Sequence, residues 1–267
     1  MKAVLMIGSH YRHLYVAKTL MEAGYLQAVM IEEREHLVPS PPAQLSTIDH
    51  DNFIRHFADR EAAEQKAFGR LTKQDLAGVP LYEVTQEGLN ENDAVQWLQQ
   101  QNPEAVISFG IHKLEQAMLE VLPDLAWNIH GGLSPWYKGN ITLFWPFYFL
   151  KPNWAGMTIH QLTSRLDGGD IIHHSVPELM YGDGIHDVAS RAVVQAAHDL
   201  VNIFKLLDQG VSITPQKQKS NGKLFVGTDW KPQHLRLIYN HFNNDIVDRF
   251  LDGELGADHP PLVKAFD

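Results

Sequence analysis

The sequence predicts an α/β fold, built on a Rossmann-like, mostly parallel twisted sheet with helices on both faces and a short C-terminal extension. Short apolar runs alternate with helical stretches from Met1 to Gln209, which is the pattern of βα units. The 267 residues, 44% of them hydrophobic, suffice for one large domain or for one domain with a small appendage. We therefore expect one domain over residues 1–209 and an extension packed on it over residues 210–267.

The first elements form an opening βαβ unit. Ala3–Ile7 is a buried strand that ends in a turn at Gly8, and the helix that follows over Tyr11–Ala23 stops at Gly24. Leu26–Ile31 is the second strand. The unit lacks both the GxGxxG motif and the P-loop pattern, so we expect no dinucleotide cofactor.

A charged helix over Asp49–Phe68 has apolar residues at helical spacing. One interpretation is a solvated helix that covers the sheet. The other is a lid or a substrate wall that carries Arg55, His56 and Arg60. A dimer contact through this helix is also left open.

The remaining elements continue the alternation, and they end in an extension of a different style. In the middle of the chain we predict a strand over Pro80–Val84, a helix over Asn92–Gln100, a strand over Ala105–Phe109, a helix over Lys113–Val121 and a strand over Trp127–Ile129. An aromatic helix over Phe144–Phe149 comes next, then strands over Met157–Leu162 and Ile171–Val176 and a long amphipathic helix over Asp187–Gln209. The extension suggests short strands over Ser212–Pro215, Gln216–Lys219 and Gly222–Val226, and short helices over Pro232–Tyr239 and Asp245–Leu251.

Polar side chains of three kinds occur in two glycine-rich segments. Asn128 and His130 end a strand, and Asp167 precedes a pair of glycines. An amide can donate to a developing oxyanion, an imidazole can donate there or move a proton, and a carboxylate can orient the imidazole. Together they suffice for acyl transfer without a covalent enzyme intermediate. The alternative for each residue alone is an ordinary turn or strand-end role.

Other histidines receive no catalytic role at this point. His160 sits in an alternating run and is interpreted as a packing residue. His173 and His174 look like a metal pair, but adjacent strand residues point to opposite faces. Because the chain has no HExxH motif and no cysteines, we expect no metal.

The motifs that contain these residues resemble those of the folate-dependent formyltransferases, which include glycinamide ribonucleotide transformylase, methionyl-tRNA formyltransferase and the sugar N-formyltransferases. The matching residues are Asn128, Ile129 and His130, then Leu133, Pro135 and Gly139 of a proline loop, then Thr158, His160, Leu166, Asp167 and Gly169. The departures from the usual loop are Gly131, Gly132 and Ser134. The match is best from Ala105 to Glu178 and weaker back to Met1.

The resemblance implies a site. Asn128, His130 and Asp167 would be catalytic, with Asn128 and His130 donating to the oxyanion and Asp167 orienting His130 and taking the amine proton. The donor would be 10-formyltetrahydrofolate, a co-substrate bound by the turn at Phe109, Gly110 and Ile111 and by the loop that contains Leu162, Gly168 and Gly169. Residues 1–209 would then be the formyltransferase catalytic domain.

The acceptor is open between two classes. The extension resembles the ends of sugar N-formyltransferases encoded with bacterial surface polysaccharides, which implies a nucleotide-linked 4-amino-4,6-dideoxysugar such as perosamine and a role in lipopolysaccharide O-antigen biosynthesis. Ser9, His10 and Arg12, just after the first strand, are candidate diphosphate ligands. A small phosphorylated amine such as glycinamide ribonucleotide is the second class, and a non-catalytic folate or nucleotide-sugar binding module is the third hypothesis.

The composition of the chain argues against nucleic-acid and membrane partners. The net charge of −10 disfavours a broad nucleic-acid surface, which needs clustered Lys and Arg. The N-terminal apolar run is too short for a signal peptide, and no run reaches the roughly 18 apolar residues of a membrane helix. We therefore expect a cytoplasmic enzyme with no membrane or nucleic-acid partner, and a homodimer is left open.

Overall fold

The computed structural model describes residues 1–35, 38–219, 222–256 and 258–266. Its main feature is a seven-stranded sheet in the order β3-β2-β1-β4-β5-β7-β8, and β6 and β9 form a separate two-stranded sheet. The strands are β1 (Ala3–Gly8), β2 (Leu26–Glu32), β3 (Leu81–Val84), β4 (Ala105–Phe109), β5 (Leu125–Gly131), β6 (Tyr137–Gly139), β7 (Met157–Gln161), β8 (Ile171–Ser175) and β9 (Lys223–Phe225).

The sheet is parallel where helices connect its strands. The first five strands pair in parallel, whereas β7 and β8 join the edge beside β5 as an antiparallel hairpin. The predicted α/β class with a mostly parallel sheet is confirmed. The strand order reverses direction at β1, so β1 and β4 flank the crevice where open α/β sheets bind ligands.

Helices cover both faces because alternate residues of each buried strand point to opposite sides. The helices are α1 (Tyr11–Glu22), α2 (Thr47–Phe68), α3 (Asn92–Gln101), α4 (Gln116–Leu119), α5 (Trp145–Tyr148), α6 (Ile185–Asp208) and α7 (Ile246–Leu251). None of them, within the described residues, combines the length and apolarity of a membrane span. Leu5 and Ile7 of β1 pack against α1 and α6 on one face, and Val4 and Met6 pack against α3 and α4 on the other.

The extension shares an apolar cluster with the α/β domain. Phe53 of α2 and Phe147 of α5 pack in it with Phe225, Ile238 and Val247 of the extension. The cluster is held at its edge by an ion pair in which the Arg236 guanidinium donates to Asp49 over 2.7 Å. Burial of several large side chains at about 1.5–3 kcal/mol each binds the two parts of the chain together.

Several predicted elements differ from the observed ones. The helix expected over Lys113–Val121 is reduced to α4, and Asn90 holds the segment before it by donating to Lys113 O and accepting from Glu115 N–H. The aromatic helix shrinks to α5, while Phe144, Trp145 and Phe147 still enter the core. The strands expected over 212–215 and 216–219 are wrong, since this segment makes only one bridge, from Gln216 to Ile171, among the described residues. The helix expected over 232–239 is split into a 3-10 turn and a π-helical turn over Leu237–His241. Asp267, at the end of the expected extension, lies outside the described residues.

Candidate active site

A cavity of about 640 Å³ lies at the carboxyl ends of β1, β4 and β5. Four of its polar side chains form what we call the strand-end cluster: Asn128, His130, His160 and Asp167. All but Asn128 are at least nine-tenths buried. The sequence therefore brings its three predicted catalytic residues together, and a fourth residue joins them.

Strand register explains why three of these side chains converge. Asn128 of β5 lies opposite Ser108 of β4 and opposite His160 of β7. Directly paired residues on neighbouring strands project from the same face of the sheet. His130 follows Asn128 by two positions and therefore shares that face. Asp167 enters from the loop between β7 and β8.

The Asn128 amide is oriented by two neighbours. The Ser108 hydroxyl donates to Asn128 Oδ1 over 2.7 Å, which directs the Nδ2 group the other way. Nδ2 then donates to His160 Nε2 over 3.2 Å. Because Nδ2 carries two protons, the second remains available for an oxygen in the cavity.

The two histidines have assignable tautomers, because each has one ring nitrogen against a backbone carbonyl that can only accept. His130 Nε2 lies 2.8 Å from Tyr137 O, and His160 Nδ1 lies 2.9 Å from Gln161 O, so those nitrogens carry the protons. His130 Nδ1 and His160 Nε2 are then bare acceptors in the neutral rings.

Asp167 is held in an uncommon backbone conformation. Its φ of 46° is left-handed, which Asp tolerates better than most residues. Gly139 N–H donates to Oδ2 over 2.7 Å, and Gln218 Nε2 donates to the Asp167 carbonyl over 2.8 Å. Gly169 is required close by, since a Cβ there would lie 1.9 Å from Gln161 O. The carboxylate is thereby fixed at the cavity wall.

Three acceptors face one another across this cluster. Asp167 Oδ1 lies 3.4 Å from His130 Nδ1 and 3.6 Å from His160 Nε2. Burial lowers the pKa of His130 below its ordinary value even though the Asp167 charge opposes this. Burial alone would raise the pKa of Asp167, but His130, His160 and the Gly139 N–H outweigh it and lower that pKa to about 2. At neutral pH the ionised Asp167 therefore lies beside a neutral His130, whose Nδ1 can accept a proton.

The predicted role of His130 changes with this geometry. Its Nε2 proton is already donated to Tyr137 O, so direct donation to an oxyanion needs a second proton on Nδ1. His160, interpreted from the sequence as a packing residue, is buried and also contacts Asn128 and Asp167. Its local sequence does not reveal this role, because the role depends on the antiparallel pairing that places His160 opposite Asn128.

The residues expected to hold folate divide into two groups. Phe109, Gly110, Ile111 and Leu162 line the cavity. Gly110 has φ of 70°, and a Cβ there would lie 2.1 Å from His13 Nε2, so the turn after β4 requires glycine. Gly168 and Gly169 are not among the described residues that line the cavity. They shape the Asp167 loop instead.

The opposite side of the cavity carries cationic and imidazole side chains, which we call the arginine wing: His10, Arg12, His56, Arg60 and His186. They come from the start of α1, from α2 and from α6. Of the expected diphosphate ligands, His10 and Arg12 lie on this wall, whereas Ser9 lies behind it and accepts from Arg34 N over 3.0 Å. His56 and Arg60 show that α2 is a wall of the cavity, one of the interpretations that the sequence left open.

Arg12 is already paired within the wing. It donates to Glu64 Oε1 over 2.6 Å and to His10 Nδ1 over 2.9 Å. Burial and then the charge of Arg12 lower the pKa of Arg60 to about 10, so the Arg60 guanidinium remains charged at neutral pH beside that of Arg12. The buried Glu64 balances one of these two charges. The wing is thus positive near Arg12 and Arg60.

Two neutral histidines complete the wing. His56 Nδ1 lies 2.9 Å from the Tyr239 hydroxyl and 3.2 Å from His186 Nε2. Burial lowers the pKa of His56 well below its ordinary value and that of His186 to about 3. Among the described residues, no group of three His, Asp or Glu side chains is arranged to hold a metal ion.

Comparison with known families decides the assignment. The model of the formyl transferase family matches residues 54–203, more than half of the chain. The chain belongs to the formyl transferase family. The predicted family and the predicted enzyme class, a one-carbon transferase, are therefore confirmed. The matched region contains the whole strand-end cluster as well as His56, Arg60 and His186.

Solved formyltransferases share the fold at low sequence identity. A phosphoribosylglycinamide formyltransferase from Anaplasma phagocytophilum is 18% identical with a TM-score of 0.56, covering 85% of this chain and 98% of that one. A 4-N formyltransferase from Francisella tularensis is 15% identical with a TM-score of 0.55, covering 86% and 78%. An N-formyltransferase from Helicobacter canadensis, in complex with folinic acid and dTDP-3-aminofucose, is 15% identical with a TM-score of 0.52, covering 86% and 73%.

Proposed function

We propose that this formyl transferase moves the formyl group of 10-formyltetrahydrofolate to the amine of a nucleotide-linked amino sugar. The observation that carries the proposal is the strand-end cluster, in which one amide donor and three acceptors converge at the end of β5. The arginine wing lies on the same cavity, which supports an anionic acceptor. The finer proposal for the acceptor is a 4-amino-4,6-dideoxysugar such as perosamine.

The amine acceptor loses a proton as it forms the new C–N bond, and the cluster supplies a place for that proton. An N–H of the substrate amine that lies near Asp167 Oδ1 and His130 Nδ1 can donate a hydrogen bond to either atom. The proton passes to His130 Nδ1, and the ionised Asp167 stabilises the imidazolium. The same Nδ1–H can then protonate the nitrogen from which the formyl group departs, so proton and electron pairs balance over the reaction.

The formyl oxygen gains charge while the new bond forms. The Asn128 Nδ2 proton that His160 does not accept is the donor for that oxygen. An oriented donor of this kind is typically worth roughly 10²-fold in turnover. Ser108 and His160 hold the amide on either side, so little reorganisation is needed when the charge develops.

Folate fits the side of the cavity that faces the turn after β4. Phe109, Ile111 and Leu162 offer apolar surface, and the turn around Gly110 presents backbone groups to the edge of a flat ring. When bound, 10-formyltetrahydrofolate supplies the activated formyl carbon. The Helicobacter canadensis relative is described with folinic acid, which supports a folate donor.

The acceptor fits the arginine wing. Arg12 and Arg60 supply charge-assisted donors suited to a diphosphate, and the N-terminus of α1 adds partial positive charge beside them. The neutral His56 on the same wall offers an uncharged polar ring to an uncharged part of the ligand. The dTDP-3-aminofucose described with one relative and the 4-N specificity in the description of another support an amino-sugar nucleotide.

An assay with purified protein tests this function. The enzyme and 10-formyltetrahydrofolate are offered separate acceptors: nucleoside-diphosphate 4-amino-4,6-dideoxysugars with different bases, 3-amino isomers and glycinamide ribonucleotide. Mass spectrometry scores the gain of one formyl group, and Asp167→Asn provides the matched inactive control. We expect formylation of an amino-sugar nucleotide.

The same assay separates the alternatives. Formylation of glycinamide ribonucleotide alone would refute the sugar acceptor while leaving the chemistry of the cluster in place. No formylation of any acceptor, together with calorimetric binding of a stable folate analogue, would indicate a non-catalytic binding module. Absence of heat with the analogue, while an acceptor binds, would contradict the folate donor.

A further inference from the structure

The end of the chain binds to the two adjacent histidines of β8. Val263 N–H donates to His174 Nδ1 over 3.0 Å, and His174 N–H donates to Val263 O over 2.8 Å. Ala265 N–H donates to His173 Nδ1 over 3.0 Å, and the Phe266 ring stacks on His173 with centroids 4.8 Å apart. We call residues 258–266 the terminal strap. Both imidazoles are almost fully buried beneath it, at 1% and 0% exposure.

The two histidines contact the strap through Nδ1, and through Nε2 they contact residues on opposite faces of the sheet. Because each Nδ1 accepts from the strap, each proton lies on Nε2. His173 Nε2 donates to Asp199 of α6 over 3.1 Å. His174 Nε2 donates over 2.9 Å to the carbonyl of Ser134. Only His174 therefore reaches the loop that follows β5.

That loop positions two members of the strand-end cluster. Over residues 131–140 it supplies the Tyr137 carbonyl that accepts from His130 and the Gly139 N–H that donates to Asp167. Thr158 anchors its start, since Ser134 N–H donates to Thr158 Oγ1 over 2.9 Å. His174 can therefore affect the geometry of His130 and Asp167 through its hydrogen bond to the Ser134 carbonyl.

We propose that His174 is a positioning residue that couples the terminal strap to the loop over residues 131–140. The strap fixes the ring through Nδ1, and the ring holds the Ser134 carbonyl through Nε2. The loop then keeps the Tyr137 carbonyl and the Gly139 N–H in register with His130 and Asp167. This inference rests on the proposed catalytic roles of those two residues.

Two amide substitutions separate the halves of this contact. In His174→Gln the side-chain nitrogen stands near the position of Nε2 and retains a donor for Ser134 O, but the acceptor for Val263 N–H is lost. In His174→Asn the side-chain oxygen stands near Nδ1 and retains that acceptor, but the donor to the loop is lost. Comparison of the two variants therefore shows how much of the turnover depends on the loop contact and how much on the strap contact.

His173→Gln is the matched control. His173 is the next residue of the same strand, is equally buried and binds the same strap, but its other partner is Asp199 instead of the loop. A purely structural role for the pair predicts similar effects at both positions. A positioning role predicts that they differ.

Steady-state kinetics on the folded fraction of each full-length variant provides the first measurement. We expect His174→Asn to lower kcat about tenfold with KM within about twofold, because a lost hydrogen bond to a buried carbonyl is worth about that much. His174→Gln should lower kcat less, about threefold, because it keeps the loop contact but loses the contact by which the strap fixes the side chain. His173→Gln should keep kcat while lowering stability. Equal losses of kcat at the two positions would overturn the proposal.

Hydrogen exchange provides a readout that does not depend on turnover. In His174→Asn, peptides that cover residues 131–140 should exchange faster than in wild type, while the strap peptide stays protected. In His173→Gln only the strap peptide should change. Unchanged exchange of the loop in His174→Asn would overturn the coupling even if the proposed acceptor were wrong, so failures of the two proposals are distinguishable.

Discussion

The two sides of the cavity are built in different ways. The strand-end cluster takes Asn128, His130 and His160 from adjacent strands of one sheet, where register alone sets their spacing. The arginine wing takes its side chains from α1, α2 and α6, and it depends on ion pairs such as Arg12 with Glu64. If the proposed roles are right, we expect the sheet side to carry the formyl-transfer chemistry and the helix side to select the acceptor.

The largest expected effect tests the sheet side. Asp167→Asn keeps the volume and tolerates the left-handed backbone, but it removes the negative charge beside His130. Turnover should fall roughly 10²-fold or more, because the imidazolium loses its stabilising partner. Steady-state kinetics measures this loss, and circular dichroism checks the fold. Asn128→Ala and His130→Ala should lose similar factors, and near wild-type turnover in any one of them would remove that residue from its proposed role.

The second prediction tests the arginine wing. Arg12→Ala alone would leave Glu64 buried without its partner, so we pair it with Glu64→Gln. The double variant should raise KM for the nucleotide sugar about tenfold and change kcat little, since a remote phosphate contact stabilises ground and transition states alike. Arg70→Ala is the control, because it removes the same charge from an exposed arginine. A fall in kcat with KM unchanged would erase the distinction between the two sides.

The sequence predicts the sheet side better than the wing for a physical reason. Asn128 and His130 end an apolar strand, and Asp167 precedes glycines, so local signals mark all three. His160 becomes visible only when the antiparallel register places it opposite Asn128, and one sequence does not specify register. The pairing of Arg12 with Glu64 depends on how α1 packs on α2, which no local pattern encodes.

The extension shows the same limit. The strand expected over Gly222–Val226 is present as β9, but its partner β6 has only three residues, too few for a periodic signal. Their pairing, which holds Tyr137 and Gly139 beside the cluster, was therefore not predicted. The segment over 212–219 was expected to form two strands but makes a single bridge to the edge strand β8. The sequence predicted an extension over these residues, but only the structure shows its contacts with the loop over residues 131–140.

The third prediction concerns pH and stability at the sheet side. The folded pKa of Asp167 is about 2, below its ordinary 3.8, so its ionised form stabilises the fold above pH 4 and this stability is lost as pH falls towards 2. Between pH 5 and pH 3 the wild type should lose about 1 kcal/mol more unfolding free energy than Asp167→Asn. Urea titrations at both pH values measure the difference. Parallel losses in the two proteins would show that His130 and His160 do not stabilise the carboxylate.

The smallest expected effect sharpens the comparison within the sheet itself. Ser108 touches Asn128 through the 2.7 Å hydrogen bond to Oδ1 and has no other assigned role at the site. Ser108→Ala removes the contact that directs Nδ2 towards His160, while the remaining bond to His160 still favours the same orientation. We expect kcat to fall about threefold with KM for both substrates unchanged, the size of one modest neutral hydrogen bond.

Ser108→Thr keeps the hydroxyl and should retain more of the turnover if the fold accommodates the methyl group. Because Ser108 is fully buried on β4, thermal unfolding of each variant must accompany the kinetics. An increase in KM for the nucleotide sugar would instead mean that strand-end residues also select the acceptor, and the division between sheet chemistry and helix selectivity would fail.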